Sequence, residues 1–265
     1  MDDAAASNTT ADDAEGLIPK PKGAAVEELI EIVKTIAYAL AIALVLRVIL
    51  FQPFTIPSES MQPALLKGDY IIVSKYSYGW SRHSIPFSPP LPAGRVLART
   101  PKRGDVIVFK LPRDGRTDYI KRLIGLPGDR IQVVEGTLFI NGKEVPRASV
   151  GPMDDPSDPN FKVTGFRETL PEGKSFLTFD RYTTPGDNTE VFTVPAGHYF
   201  FMGDNRDNSL DSRWTKETGV GFVPAENLVG KAQIILLSWN PGASLFKPWT
   251  WVLNARPERF FTVLQ

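Results

Sequence analysis

The chain has 265 residues, equal numbers of basic and acidic residues (30 each) and no cysteine. The absence of cysteine excludes a thiol nucleophile, a disulfide framework and a cysteine-ligated zinc site, and the balanced charge gives no indication of nucleic-acid binding. The 23 prolines and 21 glycines favour a β-rich chain with many turns over a helical one.

A long apolar segment near the N-terminus predicts a membrane anchor. Residues 1–25 are polar, rich in Ala and Asp, and lack periodicity, which indicates a disordered tail. Residues 26–51 form one helical stretch with an uncharged centre, and Lys34 and Arg47 can extend toward opposite interfaces. A cleaved signal peptide and an interfacial or buried amphipathic helix are the alternatives. Because the small-x-small run at 37–39 lies inside the apolar region, we favour a single uncleaved transmembrane helix.

From residue 52 onward the pattern is that of β-strands separated by turns. Asn141-Gly142 directly follows an apolar run and is a strong signal for a two-residue hairpin. Residues 146–190 are polar and rich in turn residues, which indicates an insertion or a smaller second β unit. The predicted strands are 70–73, 106–109, 119–124, 138–140, 198–202 and 232–237.

Ser60 and Lys121 are a candidate nucleophile and base, although each also has an ordinary explanation. Ser60 precedes the short helix-like run 61–66, where it could be a helix cap or could share backbone amides that stabilise an oxyanion. Lys121 lies in an apolar stretch, where burial would lower its pKa and make it a base. Because Arg122 follows it, the ordinary explanation of Lys121 is an exposed, charged strand edge.

Neither of the two histidines is a strong candidate for the general base. His83 lies in a polar segment that reads as a loop, and His198 begins an apolar strand. Serine hydrolases usually use histidine as the base, so this scarcity favours the Ser-Lys variant of the same chemistry.

The run GDNRDNSLDSR at 203–213 carries more charge than an ordinary turn. Its acids suggest a calcium loop, but the EF-hand spacing fails because Arg206 occupies a ligand position and no glycine follows. A self-contained loop of Asp-Arg pairs and Asx turns fits better and would hold Ser209 rigidly against a neighbour. We therefore expect no metal and no other cofactor.

Together these motifs resemble those of bacterial type I signal peptidase (leader peptidase), a family of Ser-Lys proteases of the inner membrane. The resemblance covers most of the chain from the anchor onward and rests on motifs in a fixed order. They are PSESM at 57–61, GDYIIVSKYSYG at 68–79, RGDVIVFKLP at 103–112, DYIKRLIGLPGD at 118–129 and GDNRDNSLDSR at 203–213.

The resemblance implies catalytic roles for four residues at matching positions. Ser60 would be the nucleophile and Lys121 the general base. Ser58 would donate a hydrogen bond to the oxyanion together with the backbone amide of Ser60. Ser209 would hydrogen-bond the lysine amine and orient it.

Further positions match supporting and substrate-binding residues of the family. Asp211 and Arg213 would form a structural ion pair beneath the site. Two small apolar subsites would accept the Ala-x-Ala-like residues before the cleavage point. The residues implied to line them are Phe54, Ile56, Pro57, Met61, Leu65, Ile71, Val108, Tyr119 and Ile120.

The resemblance also implies an architecture: one N-terminal transmembrane helix, then a mostly antiparallel β catalytic core with a smaller β domain inserted in it. The expected parts are a cytoplasmic tail (1–25), the anchor (26–51), the core (52–129 and 196–265) and the insertion (130–195). Two departures from the family pattern are Glu59, where many members carry glycine, and the lack of a cysteine pair in the insertion.

The implied function is removal of signal peptides from exported preproteins by a membrane-anchored serine endopeptidase. Its expected partners are those signal peptides and the lipid bilayer, without nucleic acid. We expect a single-pass protein of the bacterial inner membrane, with the N-terminus in the cytoplasm because Lys20, Lys22 and Lys34 precede or open the apolar stretch. The alternatives are a related Ser-Lys processing protease and a catalytically silent, membrane-tethered module that binds peptides.

Aromatic residues near the C-terminus suggest contact with lipid. Phe246, Trp249 and Trp251 lie among prolines, and such side chains favour the membrane–water interface. We expect these three to seat the protein on the lipid surface. Trp239 ends an apolar strand, and we expect it to pack in the core.

Overall fold

The structure is a computed structural model that describes residues 22–85, 88–90, 92, 94–243 and 247–264. Its contacts divide the chain into two compact units, Met1–Leu44 and Val45–Gln265. Most of the predicted tail (1–25) lies outside the described residues, and helix α1 already begins at Lys22.

Helix α1 spans Lys22–Ile49 and contains the predicted anchor. Within it, Val26–Arg47 has a mean hydropathy of 2.2 and is long and apolar enough to cross a membrane once. The predicted helical stretch to residue 51 is too long by two positions, because Phe51 already begins a strand. Pro53 lies in that strand, and a proline has no amide hydrogen to continue a helix.

Beyond α1 the structure is built almost entirely of strands, as the turn-rich composition predicts. They are β1 (Phe51–Thr55), β2 (Asp69–Ser74), β3 (Val106–Lys110), β4 (Asp118–Gly125), β5 (Arg130–Val134), β6 (Thr137–Ile140), β7 (Lys143–Glu144), β8 (Arg147–Asp155), β9 (Asp158–Thr169), β10 (Ser175–Asp180), β11 (Phe192–Thr193), β12 (His198–Met202), β13 (Val223–Pro224), β14 (Leu228–Ser238) and β15 (Thr262–Val263). One short helix, α2 (Trp249–Asn254), follows β14.

The strands form three antiparallel sheets. The largest has the order β1-β2-β14-β3-β4-β12-β13, with β15 paired to β14. A second sheet has the order β11-β5-β6-β7, and a third, β10-β9-β8, is dominated by the long β8–β9 hairpin. This confirms the predicted mostly β, antiparallel class behind one apolar helix. That residues 130–195 form a separate inserted domain stays a prediction.

The structure contains the predicted hairpin at 141–142 but not the predicted helix-like run at 61–66. Asn141 and Gly142 have φ values of 55° and 75°, and they join β6 to β7 in the predicted two-residue hairpin. The predicted helix-like run 61–66 is a set of turns, with a single helical hydrogen bond from Leu65 N to Met61 O. Pro63 lies in the middle of this run and cannot donate to a continuing helix.

Strand register places the site at β4, between β3 and β12. Lys121 is paired with Ile107 of β3, and Arg122 is paired with Val106. Consecutive side chains of a strand point to opposite faces of the sheet. Both are buried, with 3% and 1% of their surface exposed, because both faces of β4 are covered. The interpretation of Lys121-Arg122 as an exposed edge is therefore wrong.

Candidate active site

Ser60 and Lys121 are in direct contact although 61 positions separate them in the sequence. The Nζ atom of Lys121 lies 2.6 Å from Ser60 Oγ and also donates a 3.0 Å bond to the carbonyl oxygen of Ile120. Ser60 is only 7% exposed. This is the geometry of a hydroxyl beside its base, since proton transfer requires heavy atoms within hydrogen-bond reach.

Burial of Lys121 favours the neutral amine over the ammonium form. Removal from water disfavours the ammonium form and lowers the pKa of Lys121 from 10.5 to about 8, and the carboxylates of Asp211 and Asp204 oppose this effect. The Tyr119 ring covers one side, with its centroid 5.4 Å from Nζ. A substantial fraction of Lys121 is therefore neutral at mildly alkaline pH, and a neutral amine can accept the Ser60 proton.

Two hydrogen-bond donors, the Ser58 hydroxyl and the Ser60 backbone amide, lie beside Ser60 Oγ. Ser58 Oγ lies 3.4 Å from Ser60 Oγ and is exposed to solvent. The backbone amide of Ser60 donates to no acceptor in the described part of the chain. The Ser58 hydroxyl shares a long hydrogen bond with Ser60 Oγ, whereas the Ser60 amide keeps its donor unused among the described residues. Both groups are of the kind that stabilises negative charge on a carbonyl oxygen.

The Ser60 segment is held from behind by Asn205, a fully buried residue of the 203–213 loop. The Asn205 amide donates to Ser60 O at 3.2 Å, and its Nδ2 donates to Glu59 O and to Gln62 Oε1, each at 3.2 Å. Gln62 in turn donates to Ser157 Oγ at 2.7 Å. These bonds fix the main chain on both sides of the candidate nucleophile.

Gly203 allows the loop to approach this closely. A Cβ atom at that position would lie 2.3 Å from Ser209 Oγ and 2.4 Å from Ser60 O, distances that no side chain tolerates. The Gly203 amide donates to Asp211 Oδ2 at 2.9 Å, which anchors the start of the loop to its end. Glycine is thus required by close packing between the loop and the Ser60 segment.

Buried ion pairs beneath the site connect the 203–213 loop to distant strands. Arg122 binds Asp204 through two bonds of 2.7 Å, and Arg206 binds Glu168 of β9 through two bonds of 2.5 Å. Within the loop, the predicted pair is present, with Arg213 Nε 2.9 Å from Asp211 Oδ1. The expectation of a self-contained loop is therefore wrong in part, because Asp204 and Arg206 find their partners elsewhere.

Ser209 shares the site with Lys121 but makes no hydrogen bond to its amine in the described part of the chain. Its Oγ is buried without a hydrogen bond of standard geometry, yet it lies against the Asp211 carboxyl. Burial raises the pKa of that carboxyl, but Arg213, helped by bonds from Gly203 and Ser209, brings it below the ordinary value. Asp211 is therefore an anion that faces the lysine.

An open cavity of about 500 Å³ lies above the pair. Of the nine implied subsite residues, Pro57, Tyr119 and Ile120 line it. The other six lie in or against the core cluster behind it: Ile56, Met61, Leu65, Ile71 and Val108, with Phe54 packed on them. Lining residues that the sequence analysis did not assign are Thr117, Asp118, Asp207, Asn208, Leu210 and Trp214. Asp118, Asp207, Asn208 and Leu210 lie within the motifs at 118–129 and 203–213, and Thr117 and Trp214 directly flank them. Membership or adjacency of this kind is the sequence signal that could have found them.

A mostly β fold with a buried serine hydroxyl in contact with a buried lysine amine at an open cleft has the features of a serine peptidase, and comparison with known proteins agrees. The family described as "Signal peptidase, peptidase S26" matches residues 29–239. The chain belongs to this signal peptidase family.

Named relatives cover nearly the whole chain. A signal peptidase I of Rickettsia akari is 45% identical over 85% of this chain and 89% of its own length. One of Rickettsia felis is 42% identical over the same shares. A solved signal peptidase I of Enterococcus faecalis is 30% identical, covering 50% of this chain and 97% of its own, with a TM-score of 0.30.

Proposed function

We propose that this protein removes N-terminal signal peptides from exported preproteins, with Ser60 as nucleophile and Lys121 as general base. The observation that carries the proposal is the 2.6 Å contact between Lys121 Nζ and Ser60 Oγ in a buried setting that lowers the lysine pKa to about 8. A serine is a weak nucleophile alone, and a neutral amine at this distance can activate it.

The reaction would proceed through an acyl-enzyme. Neutral Lys121 takes the hydroxyl proton as Ser60 Oγ attacks the scissile carbonyl carbon, and the oxyanion accepts bonds from Ser58 Oγ and the Ser60 amide. The lysine then gives its proton to the departing amine, which breaks the peptide bond and releases the mature chain. Water, deprotonated by Lys121, hydrolyses the Ser60 ester and frees the signal peptide as a carboxylate.

We assign supporting roles to Ser209, Asp211 and Arg213. A rotation of the buried Ser209 hydroxyl would bring it to the lysine amine, which shares its cavity. The Asp211–Arg213 pair, with both partners buried, fixes the loop that carries Ser209. The carboxylate of Asp211 also favours the lysinium that forms during attack.

Side-chain size would set the specificity for Ala-x-Ala-like sites. Pro57, Tyr119 and Ile120 would contact the substrate in the cavity. Behind them, Phe54, Ile56, Met61, Leu65, Ile71 and Val108 fill the core and leave little depth for large side chains. Small residues before the cleavage point suit such shallow apolar subsites.

We propose that the protein spans the bacterial inner membrane once through Val26–Arg47, with the N-terminus in the cytoplasm and the catalytic part on the outer side. Lys20 and Lys22, which precede the apolar span, and Lys34 in its first half support this orientation. Its partners would then be the bilayer and the signal peptide. The neutral overall charge gives no support for nucleic-acid binding. Residues 130–195 would form an inserted domain within the catalytic core at 52–129 and 196–265.

Full-length protein in proteoliposomes, given a preprotein with an Ala-x-Ala site, tests the assignment. Ser60→Ala and Lys121→Met should each abolish release of the mature chain. Lys174→Met is the matched control, because burial lowers the pKa of Lys174 to about 8 as well but it does not line the cavity. Wild-type protein that binds the preprotein without cleaving it would instead favour a silent peptide-binding module.

A further inference from the structure

A second open cavity, of about 460 Å³, adjoins the candidate active site. Trp214 lines both cavities and forms the wall between them. The rest of its lining includes Phe192 and Phe222 and the charged residues Glu190, Lys216 and Glu217. The proposed cleavage reaction does not use this second cavity.

The floor of the second cavity is aromatic and its rim is polar. Phe192 and Phe222 are half-buried and pack on the fully buried Phe200, with ring centroids 5.2 Å and 6.1 Å away. Around them, Glu190, Lys216 and Glu217 are exposed. An apolar floor with charges of both signs at its edge suits an extended polypeptide of varied sequence better than a single small molecule.

The wall shared by the two cavities is fixed in place. Trp214 Nε1 donates to Ser209 O at 3.1 Å, and the preceding Arg213 is held by Asp211 at 2.9 Å. The Gly221 amide donates back to Trp214 O at 3.2 Å, which closes the loop around the indole. A chain that leaves the first cavity over Trp214 would therefore meet a preformed surface and not a disordered loop.

We infer that the second cavity binds the part of the preprotein that follows the scissile bond. The inference rests on the proposed peptidase function. Residues before the cleavage point are assigned to Pro57, Tyr119 and Ile120, and among the other lining residues that the structure describes only Trp214 also borders the second cavity, which makes it the path for the mature portion. A preprotein continues well past the bond that is cut, and each extended residue adds about 3.3 Å, so the chain reaches the neighbouring cavity within a few residues.

Kinetics with a short and a long substrate test this inference. Both contain the same Ala-x-Ala site, but the short peptide has a single amidated residue after the scissile bond and the long one continues into mature sequence. The full-length wild type should cleave the long substrate with a kcat/KM roughly tenfold higher, the gain expected from one or two buried aromatic contacts. Phe222→Ser should lose this preference while it cleaves the short peptide normally. The rim variant Glu190→Lys/Glu217→Lys makes the rim wholly basic, so with a long substrate whose mature part is rich in Lys and Arg it should lose the preference in the same way through charge repulsion.

The rim variant keeps the test sound if Phe222→Ser fails to fold, because its residues are exposed. Phe161→Ser, at a 40% exposed aromatic residue of β9 that does not line the cavity, is the matched control and should keep the wild-type preference. Equal kcat/KM for both substrates in the wild type, or equal losses on both in the rim variant, would overturn the second-cavity assignment alone. A folded wild type that cleaves neither substrate would overturn the peptidase function with it.

Discussion

Gln62 Nε2 donates a 2.7 Å hydrogen bond to Ser157 Oγ, which joins the turn after Ser60 to the tip of the β8–β9 hairpin. Gln62 is only 1% exposed, and its Oε1 accepts from the Asn205 side chain at 3.2 Å. One buried amide thus ties together the nucleophile turn, the 203–213 loop and a strand pair that is remote in the sequence.

Replacing Gln62 by Leu should slow the chemistry without weakening substrate binding. The change removes one of the two acceptors of the buried Asn205 Nδ2, which keeps only Glu59 O, and it removes the bond to Ser157, whose exposed hydroxyl can turn to water. One buried N–H without its acceptor costs about 1–3 kcal/mol, which loosens the Ser60 turn. We expect kcat to fall about tenfold with KM unchanged. Ser157→Ala should act in the same direction, and Ser149→Ala, which alters an exposed residue of the same hairpin, is the control. A matching rise in KM would contradict a positioning role.

The pH dependence of cleavage should report the ionisation of Lys121. The lysine acts as a base only when neutral, and its pKa is lowered to about 8 by burial. The value of kcat/KM for a soluble peptide should therefore increase with pH and level off above about 8. Measurement of initial rates from pH 6 to 11 checks this. A rise centred near the ordinary lysine value of 10.5 would exclude Lys121 as the base.

Burial of Lys121 should lower the free energy of unfolding, and the size of this loss should depend on pH. The folded pKa of about 8 lies below the unfolded value of 10.5, so the unfolded chain binds more protons between these values. The free energy of unfolding should therefore increase as pH rises through this window, and the full cost of about 3 kcal/mol applies below it. Lys121→Met should raise the unfolding temperature at pH 7 more than at pH 11, measured by calorimetry in detergent. Equal effects at both pH values would argue against a charged lysine in the resting site at pH 7.

Ser58→Ala should leave weak but measurable activity, in contrast to Ser60→Ala. Ser58 Oγ lies 3.4 Å from Ser60 Oγ, and removal of one oxyanion donor costs about 3–4 kcal/mol of transition-state stabilisation. The Ser60 amide would still serve the oxyanion. We expect kcat to fall by two to three orders of magnitude, with little change in KM, in a single-turnover assay. Full activity in Ser58→Ala would remove it from the oxyanion site.

The exposed face of α2 should bind lipid. Trp249 is 62% exposed, Trp251 42%, Val252 82% and Leu253 78%. Phe246, also expected to contact lipid, lies outside the described residues. In a fragment that begins at Phe51, Trp249→Ser with Trp251→Ser should weaken sedimentation with anionic liposomes, since interfacial aromatic contacts are lost. Tyr182→Ser, which removes a 59% exposed aromatic side chain elsewhere, is the control. Unchanged sedimentation of the folded double variant would refute the lipid contact.

Local pattern predicts much of this structure. Apolar periodicity and turn residues predict strands β2, β3, β4, β6, β12 and β14 and the Asn141-Gly142 hairpin, but not the long β8–β9 hairpin, whose sequence is polar. An uncharged run predicts the helix that contains Val26–Arg47. Trp239 departs from the expectation of core packing: it is half-buried and contacts Tyr70, Trp251 and Phe260 outside the buried clusters. The strands, the hairpin and the helix follow from the sequence because they depend on the identity of neighbouring residues only. The same holds for the family, which the ordered motifs indicate before any contact is known.

Contacts between distant segments decided the geometry of the site and its buried ion pairs. No local pattern reveals that Lys121 meets Ser60, that Arg122 is buried against Asp204, or that Arg206 reaches Glu168 in another sheet. Strand pairing and sheet packing bring these groups together, and only then does burial determine which charges are paired and which pKa is lowered. The sequence by itself thus determined the fold class, the anchor and the candidate chemistry. Tertiary packing decided the geometry of the site, because a lysine becomes a base only where the surrounding chain removes it from water.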